Sequence, residues 1–166
     1  MSDNLVAVVE IPKGSSNKYE WDDELGAIKL DRLLFSSLGY PTDYGFFRDT
    51  LAADGDPLDA MIAVSEPTFP GCLIEVKPVA LFRMRDQSAE DNKILCVPHT
   101  DPNWSNIERL EDLSMTLRDE ISHFFSIYKT PEWKVVKVDG WDSREEALES
   151  IERARTRWRE ANAATA

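Results

Sequence analysis

Short runs in which apolar and polar residues alternate fill the first half of the chain, and helical spacing takes over in the second. From Leu5 to about Met84 the runs are rich in β-branched and aromatic residues. Gly/Pro turns at 12–14, 55–57 and 67–71 cut them, which predicts strands over 5–11, 18–21, 27–30, 60–65 and 73–84, and another over 94–98. Ser105-x-x-Glu108 is a capping box, followed near helical spacing by Ile107, Leu110, Leu117, Ile121, Phe124 and Tyr128. Asp112-Leu113-Ser114 stands where it would divide that run into a short helix and a longer one. A last strand is predicted over 134–138. Ser143-x-x-Glu146 then opens a terminal helix with Ala147, Ile151, Ala154 and Trp158 on one face, and the tail over 161–166 is expected to fray. Strands first and helices after define an α+β class, and a barrel with helices outside it fits that order. At 166 residues, without repeat or linker, the chain reads as a single domain over 1–166.

Composition narrows the function classes. A formal net charge of −12 argues against nucleic acid and anionic membrane as partners, although bound metal ions can invert a local field and admit an anionic substrate. No apolar run approaches the ~20 residues of a membrane helix. Met1-Ser2-Asp3-Asn4 has neither a basic nor an apolar leader segment, so no secretory signal is expected. Cys72 and Cys96 lack metal-ligand spacing and read as two buried, reduced thiols of a cytoplasmic protein.

The candidate chemistry centres on Asp54-Gly55-Asp56-Pro57-Leu58-Asp59, three carboxylates in six residues with Arg48 as the nearest upstream cation. Such a cluster is either a polar turn or a site for a hard divalent cation such as Mg²⁺ or Ca²⁺. It is not an EF-hand, because the sixth and twelfth positions from Asp54 hold Asp59 and Ser65 instead of glycine and glutamate. A second acidic stretch carries Asp86, Glu90 and Asp91 with Lys93 entering the next strand, as the loop of a hairpin. Together the two loops suit several Mg²⁺ ions, each taking few protein oxygens. Strand periodicity puts Lys18 and Glu20 on one face, and leaves Glu10 oddly on the face of Val6 and Val8. Arg32, Lys129, Tyr40, Tyr44 and Tyr128 complete the inventory, with capping or loop packing as their ordinary roles. His123, beside Phe124-Phe125, reads as a helix-packing residue.

Taken in order, these segments resemble the soluble inorganic pyrophosphatases of family I, bacterial type. The matching text is Val9-Glu10-Ile11-Pro12, Asn17-Lys18-Tyr19-Glu20, Leu30-Asp31-Arg32, Tyr40-Pro41-Thr42-Asp43-Tyr44-Gly45 and the Asp54–Asp59 stretch. Phe69-Pro70-Gly71, the Asp86…Asp91-x-Lys93 loop, His123-Phe124-Phe125-x-x-Tyr128-Lys129 and Trp141 continue it. The resemblance implies a five-stranded, OB-like β-barrel with two main flanking α-helices, commonly assembled as a homohexamer in the cytoplasm. It implies Mg²⁺-dependent hydrolysis of inorganic diphosphate to two phosphates by a metal-activated water attacking in line, with Mn²⁺ a possible substitute. It also implies roles. Asp54, Asp59 and Asp91 are similar to ligands of a first ion, with Asp59 shared by a second. Asp86, Asp91 and Glu20 resemble ligands of substrate-associated ions. Lys18, Arg32, Lys93, Tyr128 and Lys129 match the groups that hold the phosphates. Asp56 matches the general base, and Glu10 and Tyr44 belong to the surrounding hydrogen-bond network.

The pattern is departed from in two informative places. Gln87 stands where many relatives carry a glutamate, which removes a negative charge near the substrate-linked metals. Thr130-Pro131-Glu132-Trp133 differs from the usual connection after Lys129 and is slightly shorter. The rival readings are an OB-like binding module without catalysis, a pseudoenzyme that kept the scaffold, and a phosphatase of broader range. A basic, aromatic-lined groove would favour the first, and the charge of −12 does not.

Overall fold

The computed structural model describes residues 5–34 and 37–165. Met1–Asn4, on which the expectation of no leader rests, and Ala166, the end of the tail expected to fray, lie outside them. The described elements are β1 (Leu5–Ile11), β2 (Asn17–Asp22), β3 (Ala27–Leu33), β4 (Asp43–Phe47), β5 (Asp59–Ile62), β6 (Leu73–Asp86), β7 (Ala89–Glu90), β8 (Lys93–Pro98), α1 (Met115–Ile127), β9 (Val136–Asp142) and α2 (Arg144–Ala163). The class is α+β.

Seven strands form one mixed sheet, in the order β1-β4-β5-β8-β6-β7, with β9 paired to β6. Because β1 also pairs with β6, the strands β1, β4, β5, β8 and β6 join in a ring. β6 makes this possible by its length. Its start pairs with β1, its middle with β8 and its end with β9. Pro78, which has no N–H to offer the ladder, coincides with a register shift that bends the strand. β2 and β3 stand apart as a two-stranded ribbon.

Alternation decides which helix covers which face. Leu58, Ala60, Ile62, Ile94 and Cys96 pack with Ala147, Ile151 and Ala154 of α2. Their chain neighbours Met61, Ala63, Leu95 and Val97 pack in a second cluster with Ile121, Phe124 and Phe125 of α1 and with Tyr128, which follows it. Hence β8 is buried at every position, an apolar run sandwiched between two layers.

Four expectations are corrected. No strand is predicted over 43–47, where loop packing is the ordinary expectation for Tyr44, yet β4 forms there. It is a strand whose Gly45 lies so close to β1 that an added Cβ would meet the Val8 carbonyl oxygen at 1.8 Å. Ser105-x-x-Glu108 caps no helix. The Asp112 carboxylate accepts from the Glu108 and Arg109 N–H groups instead, and a single 3₁₀ turn follows over Leu110–Asp112. α1 starts only at Ser114, whose hydroxyl accepts from the Leu117 N–H. His123 is exposed on α1 and is not part of either core cluster. The C-terminal helix continues through Ala163, beyond the point where fraying was expected.

Candidate active site

Each wall of the cleft arises from a local rule. β1 carries a register shift between Val9 and Ile11, so Glu10 is the unpaired residue of a bulge. A bulge re-aims a side chain, and this accounts for a glutamate beside Val8 on a core strand. The Glu10 carboxylate accepts the Trp21 N–H at 2.7 Å and so fastens the β2–β3 ribbon to β1. Burial pushes its pKa up to about 7 against that hydrogen bond, with Asp59 and Glu20 adding to the rise.

The acidic turn is built by its own side chains and by α2. Asp54 accepts the Asp56 N–H at 3.0 Å, Gly55 takes a positive φ of 92°, and the buried Thr50 hydroxyl accepts the Leu58 N–H at 3.0 Å. The Leu51 N–H donates to the Ala154 carbonyl of α2, also at 3.0 Å. Asp54 and Asp56 are thereby exposed, while Asp59, already in β5, is half-buried. Burial, then Asp54, Asp59 and Glu20, raise the Asp56 pKa.

Parallel pairing of β5 with β8 sets Asp59 beside Lys93. The Lys93 ammonium is enclosed. It donates to Tyr44 Oη at 2.8 Å, Asp59 Oδ2 at 3.0 Å and Asp91 Oδ1 at 3.2 Å, and lies 5.2 Å from the Tyr44 and Phe125 ring centres. Burial alone would lower its pKa, but Asp59 and Asp91 more than reverse this. Asp91 in turn is pushed up to about 6, by burial first and by Asp59, despite Lys93. Burial likewise raises the Tyr44 and Tyr128 hydroxyls.

The opposite rim comes from the end of α1 and the β6–β7 turn. Lys129 donates to Asp86 Oδ2, and Gln87 and Ser88 both take positive φ (50° and 70°), closing the hairpin in two residues. The expected long hairpin loop is therefore a tight turn, with Asp91 between β7 and β8.

All but one of the residues singled out from the sequence line a single cleft of about 520 Å³: Glu10, Lys18, Glu20, Tyr44, Asp54, Asp56, Asp59, Asp86, Asp91, Lys93, Tyr128 and Lys129. Arg32 is the exception. It stands at the margin, paired across the ribbon with Lys18 and held by Asp31 and Glu132. Sequence reasoning missed Asp23 as a lining residue, and missed the grip of Glu132 on Arg32, which spans 100 positions.

Whether the residues suit hard cations is decided by their charge and their unsatisfied atoms. Nine acidic residues and three lysines line the cleft. Asp86 Oδ1 is buried without a hydrogen-bond partner among the described residues. Two enclosed carboxyls, Glu10 and Asp91, hold protons well above their ordinary range. Among the described residues no three acidic, imidazole or thiol groups already converge as a metal's ligands do; where Asp59 and Asp91 meet, the Lys93 ammonium lies between them. All-oxygen donors in mutual repulsion, one of them orphaned, fit Mg²⁺-type ions, which complete their shells with water.

Interleaved carboxylates and ammonium groups in one cleft suit a polyanion that arrives with cations. Comparison with known proteins makes that specific. The family model described as inorganic pyrophosphatase matches residues 7–159. An inorganic pyrophosphatase of Methanosarcina acetivorans is 56% identical over 155 residues, covering 93% of this chain and 92% of its own. Among solved structures, that of the Thermus thermophilus inorganic pyrophosphatase superposes with a TM-score of 0.91 at 41% identity, over 95% of this chain and 93% of that one. That of the Helicobacter pylori enzyme gives 0.92 at 38% identity, over 96% and 95%. The chain belongs to the inorganic pyrophosphatase family.

Proposed function

We propose that this chain hydrolyses inorganic pyrophosphate to two phosphates, with divalent metal ions and with water attacking phosphorus in line. The observation that carries the reading is the interleaving at Lys93, one enclosed ammonium bridging Asp59 and Asp91 at 3.0 and 3.2 Å. A site for an anion alone would be basic, and a site for a metal alone would spare the lysines. A polyanion that arrives with its cations needs both.

Asp54, Asp59, Asp86, Asp91 and Glu20 would hold Mg²⁺, several ions per subunit, with Mn²⁺ a substitute. When bound, such ions neutralise phosphate charge and acidify nearby water. Asp56, exposed at the cleft mouth with a raised pKa, accepts the proton of the attacking water. Glu10 and Tyr44 keep the surrounding groups in place, Glu10 through Trp21 and Tyr44 through Lys93. Lys18, Arg32, Lys93, Tyr128 and Lys129 hold the two phosphates and stabilise charge on the leaving one. The family likeness further supports one domain over 1–166, a five-stranded OB-like barrel, a cytoplasmic homohexamer, and no nucleic-acid or membrane partner. Among the described residues no helix is long and apolar enough to cross a membrane.

The test is phosphate release from pyrophosphate, ATP and tripolyphosphate, with Mg²⁺ and with EDTA. Turnover of pyrophosphate only with Mg²⁺, and little on the other two, is expected. No metal-dependent release from pyrophosphate ends the proposal, and equal rates on all three make the chain a broader phosphatase.

A further inference from the structure

The ribbon that carries Lys18, Glu20 and Arg32 lies outside the main sheet, so its hold on the cleft depends on side chains. Glu10 provides one fastening through the Trp21 N–H. Another is a chain of alternating charge. Lys18 pairs with Glu20 and lies 3.4 Å from Asp31 Oδ2; Asp31 accepts from Arg32 Nη1. Glu132 then takes the side edge of the same guanidinium, accepting Nε on one oxygen and Nη2 on the other, the latter at 3.3 Å. Lys134 closes the chain 3.5 Å from Glu132 Oε2.

Glu132 is well placed to be the fixed end. It lies in the 3₁₀ turn Thr130–Glu132, with Pro131 in its first positions and Trp133 in the left-handed region at φ 58°. That turn follows Tyr128 and Lys129 directly, and the Lys134 N–H returns to the Lys129 carbonyl at 3.4 Å. Its carboxylate is mostly enclosed, at 14% exposure. A guanidinium has five N–H donors in a rigid plane. Glu132 and Asp31 engage three of them, which leaves one hydrogen on Nη1 and one on Nη2 for a further oxyanion.

We infer that Glu132 is a positioning residue for the proposed reaction, registering Arg32 and the β2–β3 ribbon to the backbone turn that directly follows Tyr128 and Lys129. This rests on the pyrophosphate reading. A fork–fork pair fixes the guanidinium plane as well as its distance, so the two spare donors are held in that plane. Without Glu132, Arg32 keeps Asp31, which moves with the ribbon, and loses its reference to the opposite wall. The departure at Thr130–Trp133 is thus not neutral to the site: it carries the anchor.

The experiment is a double-mutant cycle on full-length protein. It measures kcat and KM for pyrophosphate at saturating Mg²⁺ in wild type, Glu132→Gln, Arg32→Ala and the double variant, with thermal midpoints alongside. Glu132→Gln should lower kcat/KM roughly ten- to a hundredfold, the scale of a misplaced binding group. In the Arg32→Ala background it should cost almost nothing more, and Glu132→Asp should recover part of the loss. A loss of equal size in both backgrounds would mean general destabilisation, and no loss in either would leave Glu132 without a role; either result overturns the inference. Should Glu132→Gln fail to fold, the cycle is run with Glu132→Asp, which keeps the charge and shortens its reach. Wild-type protein that does not hydrolyse pyrophosphate would instead sink the underlying reading, and the inference with it.

Discussion

The floor of the cleft and its outer ribbon present the same kinds of group under opposite conditions. On the floor, Lys93 is 2% exposed and bound by two carboxylates and a phenol, on strands whose pairing leaves no freedom. On the ribbon, Lys18 and Arg32 are 20% and 27% exposed and are oriented by ion pairs. Backbone hydrogen bonding fixes the first set, and electrostatics fixes the second. Breaking the Lys93 pairs leaves two carboxylates facing each other at the floor, whereas breaking the ribbon's pairs frees its side chains from their register. The floor is therefore held by strand pairing, and the ribbon by its anchors at Glu10 and Glu132.

Removing the floor's cation should break this contrast most severely. Lys93→Met leaves Asp59 and Asp91 facing each other, and unfolding in EDTA should show a loss of about 3–5 kcal/mol. Mg²⁺ should restore part of it, and an unchanged denaturation midpoint would show that the lysine is not what holds the carboxylates. Next in size is the division of labour within the acidic turn. Asp56→Asn should cut kcat by roughly a hundredfold or more with Mg²⁺ affinity nearly kept. Asp59→Asn should cost more affinity in calorimetric titration, so equal losses in both variants would erase the distinction between metal holder and base.

A smaller effect separates the floor and its fastening by pH. A carboxyl whose folded pKa exceeds its unfolded one binds its proton more tightly when folded. Its contribution is therefore full below the unfolded value and lost as pH rises through the folded one. For Glu10 that window runs from about 4.5 to about 7, and for Asp91 from about 3.8 to about 6. Thermal midpoints in EDTA should fall across this range, Glu10→Gln should flatten the upper part of the slope, and saturating Mg²⁺ should reduce it. A midpoint that rises from pH 5 to 7 would contradict both burial effects. Smallest is Gln87→Glu, which returns a charge to an exposed turn and should tighten the substrate-linked metal by no more than about fivefold. An unchanged Mg²⁺ dependence of activity would place Gln87 too far from the ions to matter.

The parts of this arrangement that were legible in the sequence are those with a local period. β1, β2, β3 and β6 follow alternation and turn residues, β8 follows its unbroken apolar run, and α2 follows the N-cap at Ser143, whose hydroxyl accepts the Glu146 N–H. β4 was hidden because Gly45 reads as a turn when it is a point of close strand approach. Glu10 looked misplaced because a bulge cannot be seen in a two-residue period. The box at Ser105 failed because Asp112, seven residues on, competes for the same backbone donors. The cleft residues could be picked out as acidic and basic clusters, but their roles came from the family likeness, since Asp59 and Lys93 meet only through parallel pairing. Arg32 and Glu132 meet only in the folded chain, and no local rule connects them.

The length of β6 has a consequence for how the molecule comes into being. β1 leaves the ribosome first, yet its partners are β4 on one edge and Leu73–Val76 of β6 on the other. The ring closes only when β8, ending at Pro98, has joined β5 and β6. More than half of the chain, through Pro98 of its 166 residues, must therefore be made before the ring that contains β1 can close. Such non-local pairing makes for slow assembly and leaves an apolar strand exposed meanwhile. Nascent chains arrested before β6 emerges should be the aggregation-prone species, and chains arrested just beyond β8 the first to resist protease.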